Sequence, residues 1–98
     1  MITYRIYQIK DIENTDYAFR AYDSEKFSFL DYECLGEGEV DVADKTDIET
    51  CELIFYVFNM RTPAEFKGHS LSMSDVIELD DGSSRRLYYC DTCGWVQV

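Results

Sequence analysis

The chain has 98 residues, of which 46% are hydrophobic and 15% aromatic, and its formal net charge is −11. The hydrophobic fraction excludes a disordered chain, and the length fits a single domain with a modest core over residues 1–98. The excess of acids argues against direct binding to nucleic acid or to an anionic membrane, and favours a partner protein with a basic surface.

The four cysteines could form two disulfides. However, the start Met1-Ile2-Thr3-Tyr4 is too short and too polar for a signal peptide, and no apolar run approaches transmembrane length. We therefore expect a cytoplasmic protein with free thiols.

Residues 2–9 alternate in a way that predicts a strand with one buried face, formed by Ile2, Tyr4, Ile6 and Gln8. The aromatic residues of the segment 17–29 fit neither the helical nor the strand period, so we expect a smaller helix or an ordered loop there. Tyr32 begins another extended segment. Its glycines, Gly36 and Gly38, predict an edge strand, a bulge or a strand end.

A helix is predicted over residues 46–59. Thr46-Asp47-Ile48-Glu49 has the pattern of a capping box, in which the Thr46 hydroxyl and the Glu49 carboxylate each accept a hydrogen bond from the other's backbone amide. The apolar run 53–58 alone fits a strand equally well, and the cap decides for the helix. The spacing predicts one buried face, formed by Ile48, Cys51, Phe55 and Phe58.

The most specific order of residues lies in Phe66-Lys67-Gly68-His69-Ser70-Leu71-Ser72-Met73-Ser74-Asp75-Val76-Ile77-Glu78-Leu79. The alternating serines favour an extended chain, whose hydroxyls bond nearby backbone groups and fix a turn before the next strand starts. Gly68 permits a positive φ or the close approach of another strand.

Two hairpins are predicted to follow. Residues 76–79 form a strand, and Asp81-Gly82 forms the turn to a second strand over residues 85–90. Arg85 or Arg86 is expected to pair with Glu78 at the surface. The turn 91–94 leads to a last strand. The fold class is therefore α+β, with an antiparallel sheet of four or five strands packed on one main helix.

The central motif resembles the YodL-like domain family. The resemblance rests on Phe-Lys-Gly-His-Ser-Leu-Ser-Met-Ser-Asp-Val-Ile, on Leu87-Tyr88-Tyr89, on Gly94-Trp95 and on the opening segment 4–10. It implies a small intracellular domain of Gram-positive bacteria, often carried on conjugative elements. The family offers no established enzymatic activity and no catalytic residues to transfer. We interpret five motif residues as structural: Gly68, His69, Ser70, Ser72 and Asp75.

Cys90-Asp91-Thr92-Cys93-Gly94 has the spacing of half a zinc site. The other two ligands would come from Cys34, Cys51 and His69, none of which belongs to a second CxxC pair. The family usually places apolar or aromatic residues at positions 90 and 93, which favours core packing. We expect no cofactor and keep a zinc-stabilised structural module as the alternative.

His69, the three serines and Asp75 include every residue type of a serine hydrolase. A triad, however, joins separate segments in space, and no Gly-x-Ser-x-Gly elbow is present. We therefore expect no catalytic site, and we expect His69 to donate to a backbone carbonyl near Gly68.

Acidic residues are concentrated in the segment 31–52, which holds nine acids and one base, Lys45, for a net −8 of the total −11. Such a segment either keeps the protein soluble or imitates a nucleic-acid backbone. The acids expected to bind a partner are Glu37, Glu39, Asp41, Asp44, Asp47, Glu49 and Glu52. With the mobile-element setting that the resemblance implies, we expect a non-enzymatic, protein-binding domain that inhibits a host nucleic-acid-handling protein such as a defence nuclease.

Overall fold

The computed structural model describes residues 1–42, 44–64 and 66–98. The strands and the main helix are β1 Ile2–Ile9, β2 Tyr32–Val40, α1 Asp47–Met60, β3 Val76–Asp80, β4 Arg85–Asp91 and β5 Gly94–Gln97. The strands form one antiparallel sheet in the order β2-β1-β3-β4-β5. The α+β class and the sheet packed on one helix are as predicted. None of the described helices is long and apolar enough to cross a membrane.

Different structures cover the two faces of the sheet. On one face, Ile6 of β1 lies opposite Ile77 of β3, and both pack against α1. On the other face, Val76 and Tyr89 pack beneath the segment 10–31. That segment contains two short 3-10 turns, Ile12–Asn14 and Phe29–Asp31, and otherwise follows an irregular path. Two alternatives were predicted for residues 17–29, a smaller helix and an ordered loop, and the structure shows the ordered loop.

The capping box at the start of α1 is confirmed. Thr46 Oγ1 accepts from the Glu49 amide at 3.2 Å, and Glu49 Oε1 accepts from the Thr46 amide at 3.0 Å. The predicted buried face is partly wrong, because Ile48 is 41% exposed. The buried residues of α1 are Thr50, Cys51, Ile54 and Phe58.

Thr50 can face the core because its hydroxyl donates to the Thr46 carbonyl at 2.9 Å and is therefore not left unpaired on burial. The apolar spacing could not identify this face. Apolar side chains occupy both sides of the helix, and Tyr56 and Met60 stay exposed.

β2 is an edge strand with a bulge, as its glycines predicted. The register shifts opposite Ile6 and Tyr7. A Cβ at Gly36 would lie 2.9 Å from the Phe66 ring, and one at Gly38 would lie 2.6 Å from the Tyr4 hydroxyl. Aromatic rings therefore occupy the space that side chains at these two positions would need.

Candidate functional site

The residues of the central motif gather around Gln8, which lies on β1 and is 1% exposed. The Gln8 Nε2 donates to the Asp75 Oδ2 and to the His69 carbonyl, both at 3.0 Å. The Gln8 Oε1 accepts from the His69 amide at 3.2 Å. One side chain thereby fastens the motif at two points, His69 and Asp75, to an inner strand of the sheet.

Gly68 serves this arrangement by its lack of a side chain. A Cβ built at Gly68 would lie 2.1 Å from the Gln8 Oε1 and 2.9 Å from the Phe66 ring. Gly68 is not among the glycines with positive φ, which are Gly82 and Gly94. A positive φ and a close approach were both expected to explain Gly68, and the structure shows the close approach.

Asp75 is the buried charge of the motif. Besides the bond from Gln8, its carboxylate accepts from the Ser72 amide at 2.9 Å. Burial raises the pKa of Asp75 to about 6, against hydrogen bonds from Ser72 and Gln8 and the proximity of His69, which lower it. The hydroxyl of Ser72 is buried nearby and has no partner among the described residues.

His69 lies at the surface with Ser70. The His69 Nδ1 is 2.7 Å from the Ser70 carbonyl, to which the Nδ1–H tautomer donates. The His69 ring also packs against Phe19, with centroids 5.5 Å apart. In the described residues no serine hydroxyl is bonded to His69. The contacts of His69 therefore stabilise a turn, and they are not those of a general base with its nucleophile.

The motif ends in a turn before β3, as expected, and the chain is not extended at Ser74. Ser74 has φ 77°, and the Asp75 amide donates to the Ser72 carbonyl at 3.2 Å, which makes a turn directly before β3. The Ser74 hydroxyl accepts from the Phe19 amide at 2.9 Å, and the Tyr32 hydroxyl donates to the Ser74 carbonyl. Tertiary contacts with Phe19 and Tyr32 thus hold a backbone conformation that serine rarely adopts alone.

Asn59 is a motif partner that the sequence did not reveal. Its side chain donates to the Leu71 carbonyl at 3.1 Å and accepts from the Leu71 amide at 2.8 Å. This pair of bonds fixes the middle of the motif to the end of α1. From the sequence, Asn59 indicated only a helix end, because nothing local connects it with a residue twelve positions later.

A second buried carboxylate, Glu78, lies on the face of the sheet away from α1. It is 0% exposed and accepts from Arg85 at 2.6 Å, from Tyr7 at 3.2 Å and from Arg5. Burial alone raises the pKa of Glu78, but the bonds from Arg85 and Arg5 outweigh it and hold the pKa below its ordinary value. The predicted Arg85–Glu78 pair is present, although its carboxylate is buried and not at the surface.

Arg86 pairs elsewhere. It donates to Asp47 at 2.8 and 3.0 Å and to Asp81 at 3.1 Å, and Tyr88 also donates to Asp47. The hydrogen bond from Arg86 lowers the pKa of Asp47. These contacts join the first turn of α1 to β4.

The seven acids expected to bind a partner divide into two groups. Four of them have internal partners: Glu37 with Arg5, Asp47 with Arg86, Glu49 with Thr46, and Glu52 with the Trp95 indole. Asp47 is half-buried and is not a free surface charge, contrary to expectation. The other three, Glu39, Asp41 and Asp44, are exposed and make no side-chain bond within the described structure.

The cysteines do not assemble a metal site. Cys51 and Cys90 are buried, and burial raises the pKa of each thiol to about 12. Cys93 lies exposed in the turn between β4 and β5. Within residues 1–42, 44–64 and 66–98 no three His, Cys, Asp or Glu side chains are grouped to hold a metal ion. The zinc alternative therefore has no support from the geometry.

Comparison with known proteins agrees with the motif. No curated protein and no solved structure matches the chain significantly. The family model of the YodL-like domain matches residues 3–98, which include both the central motif and the strand that carries Gln8. The chain therefore belongs to the YodL-like domain family.

Proposed function

We propose that this YodL-like domain is a non-enzymatic, protein-binding domain of a bacterial mobile element, which acts in the cytoplasm on a partner with a basic surface. The observation that carries the proposal is the contrast between its acids and its arginines. Glu39, Asp41 and Asp44 are exposed without partners in the described structure, and we call them the acidic surface. Three of the five arginines, Arg5, Arg85 and Arg86, are engaged with acids of the domain itself.

The excess of acids makes the outward field of the molecule negative. Cations held in internal ion pairs contribute little at a distance, so the unpaired acids and the net charge of −11 dominate. Such a field attracts a basic partner and raises the rate of association more than it slows dissociation. An anionic ligand would be repelled.

The partner class that we favour is a nucleic-acid-handling protein, in particular a host defence nuclease. Such proteins carry basic channels that neutralise phosphates, and an acidic domain can occupy the same channel. A mobile element that enters a new host gains from such an inhibitor. In this reading the motif around Gln8 stabilises the fold, and the acidic surface makes the contact.

The test compares two triple variants of equal net charge. One carries Glu39→Gln, Asp41→Asn and Asp44→Asn. The control carries Glu13→Gln, Asp16→Asn and Glu25→Gln, which are exposed acids on the 10–31 segment. Each immobilised protein is exposed to host lysate at stepped salt concentrations, and duplex DNA is then added as a competitor.

We expect the first variant to lose its partner and the control to keep it. Capture should weaken as salt rises, because the charges are screened over about 8–10 Å near physiological ionic strength. DNA should release the captured protein. Equal capture by both variants would refute the role of the acidic surface, and capture that DNA leaves unchanged would refute the nucleic-acid-handling partner.

A further inference from the structure

The outer edge of β2 is open. β2 has nine residues and pairs only with β1, whereas the strand at the opposite edge, β5, has four. Within the described residues, no other strand bonds to β2. An open edge of this length presents backbone donors and acceptors that can pair with another extended chain.

The pairing pattern shows which backbone groups face outwards. The Lys10 amide donates to the Asp31 carbonyl at 2.9 Å, in the same register as the β1–β2 ladder. In an antiparallel pair, hydrogen-bonded and non-bonded residue pairs alternate. Even-numbered residues of β1 therefore bond to β2. Glu37 and Glu39, which lie opposite Arg5 and Thr3, point their N–H and C=O groups away from the sheet.

The side chains at this edge are acidic on both faces. Glu33 lies opposite Gln8 on the α1 side, whereas Glu37 and Glu39 lie on the opposite side. In a two-fold β2–β2 pair centred on Gly38, Glu37 of one copy would lie against Glu39 of the other on the same face, and like charges directly opposite each other are destabilising. A second copy is therefore a poor occupant, and a strand with Lys or Arg on both faces is a good one.

An aromatic depression adjoins the same edge. Its volume is about 360 Å³, and its lining includes Tyr4, Gly36, Phe58, Pro63 and Phe66. Aromatic faces accept the apolar stems and the cationic heads of Lys and Arg side chains. The depression therefore favours the same kind of occupant as the charges of the edge do.

We propose that the open edge of β2 binds an extended, basic segment of a partner protein by adding it to the sheet as a further strand. The inference rests on the proposed protein-binding function and states its mode. Backbone hydrogen bonds supply part of the affinity, and the acids together with the aromatic depression select a Lys- or Arg-rich sequence.

The experiment uses two synthetic peptides of equal length and charge. One repeats Lys-Lys-Val-Val, which places Lys on both faces of a strand. The other repeats Lys-Lys-Pro-Pro, which cannot join a ladder. We expect the first peptide to bind about tenfold more tightly, the difference made by roughly two net hydrogen bonds. Its binding should also slow hydrogen exchange at the Glu37 and Glu39 amides.

A pair of variants separates charge from backbone pairing. Glu39→Pro and Glu39→Gln both remove the carboxylate, but only proline also removes the outward N–H. Glu39→Pro should bind the valine peptide about tenfold more weakly than Glu39→Gln. The two variants should bind the proline peptide equally. If Glu39→Pro fails to fold, the exchange measurement on the unchanged chain still decides.

Equal affinity for both peptides, with unchanged exchange at Glu37 and Glu39, would overturn strand addition and leave the acidic surface as a charge-only contact. Failure of the valine peptide to bind at all would also overturn it. The proposed function fails separately, through equal lysate capture by the two triple variants described above.

Discussion

Gly68 lies so close to the side chain of Gln8 that a Cβ at position 68 would be 2.1 Å from the Gln8 Oε1. That oxygen accepts from the His69 amide, and the amide nitrogen of the same side chain holds Asp75. A methyl group at position 68 must therefore displace the residue that fastens the motif to the sheet.

The first prediction follows from this contact. Gly68→Ala should destabilise the fold by about 2–4 kcal/mol, because overpacking and the broken bonds of Gln8 add together. In a Gln8→Ala background, the same substitution should cost much less. Thermal or urea unfolding of the two single variants and the double variant measures this coupling. If the losses of stability in the two single variants add up to the loss in the double variant, the contact between Gly68 and Gln8 is contradicted. Gly68→Val should behave as Gly68→Ala does, with a larger loss of stability.

Glu78 gives the second prediction. Glu78→Gln should cost about 2–3 kcal/mol near neutral pH. This is less than the loss of one partner from a fully buried ion pair, because Arg5 and Arg85 remain partly exposed and regain water. The matched control is Glu37→Gln, whose carboxylate pairs with Arg5 at the surface and should cost under about 1 kcal/mol. Equal losses in the two variants, measured by urea unfolding, would count against the buried network.

The sign of the pH dependence at Glu78 follows from its lowered pKa. The folded protein holds this carboxylate ionised at a pH where the unfolded chain already binds a proton. The stabilisation is therefore present above the ordinary pKa of glutamate and is lost as the pH falls through the lower value. Glu78→Gln should lose less stability than the wild type on acidification below about pH 4.

The pH dependence of stability that Asp75 contributes has the opposite sign, and it gives the third prediction. Because burial raises its pKa to about 6, the folded protein binds more protons than the unfolded chain between pH 4 and 6, and stability falls as the pH rises through this window. Asp75→Asn keeps an oxygen for the bonds from Gln8 and Ser72 and removes the charge. It should be more stable near neutral pH, by up to about 3 kcal/mol.

Melting temperatures measured from pH 4 to 7.5 check this expectation. The melting temperature of the wild type should contain a decrease with rising pH that the melting temperature of Asp75→Asn lacks. Asp16→Asn, at an exposed site, serves as the control and should follow the wild type. If Asp75→Asn is less stable than the wild type across the whole pH range, the buried charge of Asp75 does not destabilise the fold, contrary to the prediction.

The fourth prediction concerns the start of α1. Thr46→Ala should cost about 0.5–2 kcal/mol, since the Glu49 amide loses its acceptor. Thr46→Ser keeps the hydroxyl and should cost much less. Unfolding in urea with helix content as the signal separates the two variants. Equal stability of the alanine and serine variants would show that the Thr46 hydroxyl does not stabilise the helix as an N-cap.

Local patterns in the sequence were sufficient to predict the sheet and the limits of its elements. Period-two alternation identified β1, the glycines limited β2 to an edge strand, a bulge or a strand end, and the capping box separated α1 from a strand. In each case the deciding residues are neighbours in sequence, so their physical meaning can be interpreted without the fold.

The buried polar contacts could not be predicted in this way. Gln8 was placed on the buried face of β1, but its partners lie more than sixty residues away, and Asn59 meets Leu71 through the packing of α1. The burial of Glu78 depends on two arginines brought beside it by neighbouring strands. The helix face was mispredicted because apolar residues surround the middle of α1.

The position of β1 between β2 and β3 has a consequence for folding during synthesis. β1 is synthesised before the other strands of the domain, yet one of its neighbours is β3, with Thr3 opposite Asp80. The sheet cannot close until four-fifths of the chain has been synthesised, and loop-closure entropy places such pairing among the slower steps of small-domain folding. A nascent chain stalled before residue 76 should expose an apolar strand to chaperones, so expression of truncated forms should yield aggregates and not a smaller stable core.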